Sequence, residues 1–533
     1  MAKAADMAKV SAKGGFHLLW GLVLSTVIQS IGTIALAYFL SPDSMGIYFI
    51  AVSAPNLIAN FRDWGMTTAI VRYSAQYNHQ NDVAKIRSIF VSGITFELIL
   101  GLALAIFSIA ISDFLAVAFQ RPAIAQLIQI TSIFILSGGL VNTATAAFTG
   151  LERMHLNSVM LIIQSIAKTA LMLGLVLIGL GTLGAVVGFS VAVLIAAITG
   201  LLLVYTMYRS LPKTTDGKLE ILKTTKTLLK YGLPLSVGVI LTGFLTAFYN
   251  YVLAIFVTDN SLIGNYSVAT NFVVLISFFA TPVMTMLLPA FSKLDYKKDK
   301  QVLKNVFQYS VKYAALIVLP VTIMVMALAQ PAVGTIYQDK YVNAPLFLVI
   351  SSITYLYTAL GSLSVGNLIN SQGDTKITLN LSILQAAIGF PLSFILISQF
   401  GIIGLIATTL IVGIPGLLWS IGFIKKRYGV SIDWAASIRI LASSAIAGII
   451  TYLFIPWLPF SNPIQLITGA IIFTVAFLLI AILTRTITPN DLANIRLIVD
   501  GLGPLRKPIS FVLNIIEKLM SKQKTNNTKT SNA

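Results

Sequence analysis

Phe39-Leu40-Ser41-Pro42-Asp43, followed by Gly46-Ile47-Tyr48-Phe49-Ile50-Ala51, is written a second time as Phe256-Val257-Thr258-Asp259-Asn260, followed by Gly264-Asn265-Tyr266-Ser267-Val268-Ala269. The Gly-x-Tyr-x-x-Ala motifs lie 218 residues apart. Each has a short polar turn with an Asp, then Gly-x-Tyr-x-x-Ala, and each lies between long apolar runs. A repeat of this period in an apolar chain points to two similar helical bundles around a shared path, the build of many transporters.

Composition sets the class. The 533 residues are 57% hydrophobic and 10% charged. Apolar runs of 20 or more residues recur, each long enough to cross a hydrocarbon core of about 30 Å. The ten-residue alternation of a β-barrel is absent. The expected fold is all-α: a polytopic membrane protein with fourteen transmembrane helices. Their approximate spans are 15–40, 45–62, 87–111, 124–149, 157–179, 183–208, 230–257, 264–291, 304–329, 345–370, 377–399, 402–424, 437–456 and 463–485. Span 2 is short, and the stretch from Trp64 to Tyr73 extends it as a broken or interfacial helix. The first run is too long for a signal-peptide core and reads as the first span.

The net charge of +18 follows from topology. With the N-terminus cytoplasmic and the spans alternating, all but three of the 36 lysines and arginines fall on the cytoplasmic side, as the positive-inside bias requires. Arg121 and Lys340 fall outside, and Lys168 falls within a span. The excess charge therefore grips anionic membrane lipids and is no nucleic-acid footprint. The expected location is the plasma membrane, with both termini cytoplasmic. With no cysteine and only His17, His79 and His155, there is no thiol chemistry and no metal-ligand spacing. No catalytic constellation and no cofactor motif appears.

The repeat runs across six helices. Tyr73-Ser74 matches Phe291-Ser292, and Leu156-Asn157 matches Leu379-Asn380. Gly181-Thr182-Leu183-Gly184 matches Gly401-Ile402-Ile403-Gly404. The expected organisation is an N-lobe (1–208), a basic cytoplasmic linker (209–229), a C-lobe (230–424), two extra helices (425–485) and a cytoplasmic tail (486–533). In the tail, Thr488-Pro489-Asn490-Asp491 reads as a helix start. The stretch 509–520 reads as a helix on the membrane surface.

Six plus six helices with an extra pair resembles the multidrug/oligosaccharidyl-lipid/polysaccharide exporter superfamily, and within it the polysaccharide-biosynthesis flippases (Wzx type). The motifs that carry the resemblance are Leu40 to Tyr48, Phe61-Arg62-Asp63-Trp64-Gly65, Tyr231-Gly232-Leu233-Pro234-Leu235, Gly264 to Ala269 and Leu288 to Leu294. One departure is Asn250-Tyr251, where the family often has an Asp-Arg/Lys pair. The resemblance implies a flippase for a lipid-linked oligosaccharide, working beside the glycosyltransferases and polymerase of its pathway. Alternatives are a cation-coupled multidrug exporter and a peptidoglycan-precursor flippase. A membrane scaffold or enzyme of glycan assembly is a different class, and the short outer loops disfavour it.

Charges inside spans cost several kcal/mol and need a partner or water. Glu97 and Lys168 lie at matched depth in spans 3 and 5. They read either as a structural ion pair, or as Lys168 facing the path to attract pyrophosphate with Glu97 tuning it. Arg62 and Arg72, at the cytoplasmic end of span 2, read as anchors or as a first contact for an anionic headgroup. Asn56, Asn60, Tyr249, Asn250 and Asn271 are the polar side chains suited to sugar hydroxyls.

Overall fold

An apolar run in hydrocarbon has no water to satisfy its peptide groups, so it closes its own hydrogen bonds as a helix. The computed structural model describes residues 2–212 and 220–489, with Asp491, Leu492, Arg496, Asn514 and Glu517, and every regular element among them is helical. The helices are α1 (Ala2–Phe39), α2 (Pro42–Ala59), α3 (Met66–His79), α4 (Val83–Ala110), α5 (Ser112–Ala118), α6 (Ala125–Gly150), α7 (Met154–Leu175), α8 (Gly181–Ser210) and α9 (Ile221–Phe256). They continue as α10 (Asn260–Ser292), α11 (Lys300–Ala327), α12 (Ala329–Tyr337), α13 (Ala344–Leu356), α14 (Ser362–Ser371), α15 (Thr375–Tyr428), α16 (Trp434–Phe454) and α17 (Asn462–Leu483). The middle of the basic linker and the surface helix expected at 509–520 lie outside the described residues, apart from Asn514 and Glu517.

Among the described residues, ten helices are long and apolar enough to cross a membrane, or eleven if the pair bent by 54° at Gly361 counts as one span. Two of the ten are too long to cross once. Met154–Ser210 and Thr375–Tyr428 hold 57 and 54 residues, roughly 80 Å of helix against about 30 Å of hydrocarbon. Each doubles back at a glycine. Gly181 has φ 51, ψ −132 and Gly401 has φ 56, ψ −126, nearly the same conformation and one that L side chains rarely adopt. The next glycine of each motif then packs on the helix before it: Gly184 on the Leu175 backbone and Gly404 on the Leu396 carbonyl. The four-residue match in the sequence is therefore one turn built twice. The count of fourteen spans needs both hairpins and α2, and it stays an expectation.

Packing divides the chain into two units. The first comprises Met1–Val274, Asp339–Phe347 and Asp374–Gly416. Its pillar is α6, which packs on α2, α3, α4 and α8. Buried Gly138, Gly139, Ala144, Ala147 and Gly150 keep the α6 surface flat. Small residues let helix backbones approach closely where lipid supplies no hydrophobic drive. Met66, Ile70, Ile86, Phe90, Phe148 and Met160 fill the core beside it. Close approach also joins α1 to α7, where Gly21 meets Ser158 and Gly32 meets Thr169.

The second unit comprises Leu275–Gln338, Leu348–Gly373 and Leu417–Ala533. In it α11 packs on α16, and α16 on α17, around Ile323, Ala447, Phe473 and Phe477. Thr488 and Asp491 form the expected helix start. The Thr488 N–H donates to Asp491 Oδ2 at 2.8 Å, and the Asp491 N–H donates to Thr488 Oγ1 at 3.3 Å, a reciprocal capping box. Lys312 on α11 holds the same carboxylate at 2.6 Å.

Candidate functional site

The first unit has a broken helix with a buried cation at the break. After α2 and its helical cap Asn60 the chain breaks, with Trp64 at φ 44 and Gly65 at φ 75, and α3 then begins. Asp63 caps the new helix, accepting from the Thr67 N–H at 2.9 Å and the Thr67 hydroxyl at 2.8 Å. Arg62, in the break, is only 8% exposed. Its Nη1 donates to the Ile135 carbonyl of α6 at 2.9 Å, and its Nε lies 3.2 Å from Glu97 Oε1. That approach is an ion pair without hydrogen-bond alignment, since neither atom has a hydrogen-bond partner. Glycine makes the room: a Cβ on Gly139 would strike the Glu97 carboxylate, and one on Gly138 would crowd Arg62 Nη1.

The depths agree. The 14 residues of α3 separate Arg62 from the turn into α4, and Glu97 lies 14 residues beyond Val83, the start of α4. At 1.5 Å per residue both sit about 21 Å from that turn. Arg62 therefore lies just past the end of α2, beside Glu97 and well away from the turn into α4.

The Glu97–Lys168 pairing expected from matched depth is corrected. Depth is legible from spacing, whereas the direction in which a side chain leaves its helix is set by neighbours. α4 packs on α6 and α9, and α7 packs on α1 and α8. Lys168 instead lies over the Phe189 ring of α8 at 5.2 Å. Arg72, on α3, stacks its guanidinium on Tyr231 of α9 at 4.1 Å, ten residues from Arg62.

The polar candidates divide likewise. Asn56 is exposed on α2, and Asn60 donates to the Asn56 carbonyl at 2.7 Å while resting on Gly243 of α9. Tyr249 is 5% exposed, and its hydroxyl points at Gly389 with no hydrogen-bond partner among the described residues. The same holds for Nδ2 of Asn271 on α10. Such orphans mark places where water or a ligand completes the bonding. Asn250 is half-buried. Among the described residues, no three His, Asp or Glu converge as metal ligands.

The quoted motifs meet at their glycines. Gly65 and Gly232 face each other's carbonyls. At the other end of the unit the doubled turns meet reciprocally: a Cβ on Gly46 would strike the Asn260 carbonyl, and one on Gly264 would strike the Pro42 carbonyl. Residues 42 and 260 stand at the same 218 spacing as 46 and 264, so the contact is two-fold in character. The sequence signalled these glycines as a repeat but not as a contact.

A broken helix with a buried charge, among helices long and apolar enough to cross a membrane and hairpins built twice, defines the class: a multi-pass helical membrane protein. That fold is shared with the lipid II flippase MurJ in an inward closed conformation, at a TM-score of 0.69 and 18% identity, over 88% of this chain and 98% of that one. It is also shared with an inward-facing multidrug resistance MATE family transporter of the MOP superfamily, at a TM-score of 0.59 and 15% identity, over 76% and 98%. Residues 11–295 match the family model described as polysaccharide biosynthesis protein, which is more than half of the chain, and the chain belongs to that family. A curated relative, an uncharacterized membrane protein of Methanocaldococcus jannaschii, is 22% identical over 396 residues, 72% of this chain and 77% of its own.

Proposed function

We propose that the chain moves a polyprenyl-(pyro)phosphate-linked oligosaccharide from the cytoplasmic to the outer leaflet of the plasma membrane. The two lobes, 1–208 and 230–424, open alternately within fourteen spans, with both termini cytoplasmic. The observation that carries the reading is Arg62. A guanidinium at a helix break deep in an apolar bundle suits a phosphate, which it can grip with two parallel bonds. Family membership favours a glycan-linked substrate, and one fold neighbour is a flippase named for lipid II. The pyrophosphate would meet Arg72 first, then Arg62 and Lys168. Asn56, Asn60, Tyr249, Asn250 and Asn271 would receive the sugars. The lipid tail would stay in the bilayer. Glycosyltransferases and a polymerase would supply and consume the substrate.

A multidrug exporter would need a carboxylate free to meet a cationic drug. Glu97 has Arg62 beside it, and family membership favours a glycan-linked substrate over a drug. A peptidoglycan precursor has the same pyrophosphate chemistry and stays an outcome of the test. Purified chain in proteoliposomes is given a fluorescent lipid-linked oligosaccharide or lipid II, and headgroup exposure is timed. Arg62→Lys and Lys168→Ala should each slow flipping of the accepted substrate about tenfold or more, the cost of one lost charged hydrogen bond. Unchanged rates in both variants would sink the cationic path.

A further inference from the structure

We propose that Arg121 and Lys340 are a pair of crossed latches, one from each repeat, that hold shut the face carrying the doubled turns. The inference rests on the transport reading above. These are the two cations that the positive-inside pattern leaves on the far side. They stand 219 residues apart, one residue off the spacing of the turns, and each follows a residue or two after a left-handed Gln (Gln120, φ 58; Gln338, φ 53).

Each cation reaches a helix belonging to the other repeat. Arg121, in the turn between α5 and α6, is 8% exposed. Its Nη1 donates to the Phe119 carbonyl at 2.7 Å and to the Ala254 carbonyl at 2.8 Å, its Nη2 donates to the Val257 carbonyl at 2.7 Å, and its Nε donates to Asn260 Oδ1. Ala254 and Val257 end α9, the helix that leads into the second turn. Asn260 passes the link on, donating to Asp43 Oδ1 of the first turn at 3.0 Å. Lys340 mirrors this. Its Nζ donates to the Tyr38 carbonyl at 2.8 Å, and the neighbouring Tyr341 hydroxyl donates to the Ala37 carbonyl at 2.9 Å. Those carbonyls end α1, the helix that leads into the first turn. The last carbonyls of a helix lack partners within it and carry its negative pole, so a cation there satisfies both.

The latches are unequal. Arg121 uses a buried fork on four acceptors, whereas half-buried Lys340 makes one solvent-exposed bond. Opening this face separates Gly46 from Asn260 and Gly264 from Pro42, and Arg121 is the largest set of bonds to be broken. The strength of the seal is therefore set by one side chain that touches no substrate.

The chain has no cysteine, so a single Asn56→Cys reporter in proteoliposomes can be labelled with an impermeant maleimide from either side. With both latches intact the thiol should react from the Arg72 side only. Arg121→Gln, which loses at least one charged hydrogen bond, should raise its labelling from the far side about tenfold or more, and Lys340→Gln should raise it less. Unchanged far-side labelling in Arg121→Gln, in protein that elutes as the parent does, overturns the proposal. If Arg121→Gln does not fold, Lys340→Gln decides alone, and no rise there overturns it. A thiol reached from neither side with latches intact refutes the transport path instead. The latch is then judged by amide exchange at 253–264, which must rise in Arg121→Gln.

Discussion

At the scale of single residues, burial turns one contact into a constraint. Arg62 and Glu97 share a dry site, so removing either charge strands the other. Glu97→Gln should destabilise the protein by about 3 kcal/mol, while Glu97→Gln combined with Arg62→Gln should recover much of that loss. Thermal unfolding of these two variants and of Arg62→Gln alone in detergent forms a double-mutant cycle, and additive losses would refute the pairing. The glycines give a second test. Gly46→Ala and Gly264→Ala each drive a methyl into a carbonyl of the opposite turn, whereas Gly366→Ala meets open space. The first two should lower the unfolding temperature by several degrees and the third should leave it near the parent value. Equal shifts for all three would remove the contact argument.

Whole elements carry the next level. α2 and α3 could have been one helix. The break after Asn60 is set by Asp63 capping α3 and by the left-handed pair Trp64-Gly65, and it turns Arg62 inward. The capping box at Thr488 and Asp491 is held by a second buried pair, Lys312 with Asp491. Burial alone would push the Asp491 carboxyl up, but hydrogen bonds from Lys312 and Thr488 outweigh it and hold it below the usual carboxylate range. A carboxyl depressed on folding adds stability that is present above its unfolded value of about 4 and is lost as pH falls through its folded value. The attachment of the residues after α17 should therefore loosen below about pH 4. Limited proteolysis across pH 3–7 would show it, and Lys312→Met should loosen the tail already at neutral pH. A tail equally resistant in both proteins at every pH would mean that the pair does not hold it.

At the scale of the molecule, the sequence determined the class because the bilayer leaves few choices. Runs of apolar residues must be helices, and a repeated stretch of sequence builds a repeated turn. The hairpins at Gly181 and Gly401, the capping box at Thr488 and the interruption of span 2 were all legible, since each is a local demand of the backbone. The partners were not. Spacing gave Glu97 its depth and pointed to Lys168 at the same depth, but helix packing turned it to Arg62. Arg121 and Lys340 stood out only as exceptions to a charge bias, and their carbonyl partners lie 133 and 302 residues away in the chain. Local chemistry fixes where helices start, bend and stop. Which side chains then meet depends on how helices rotate about their axes, and close packing across the whole bundle decides that.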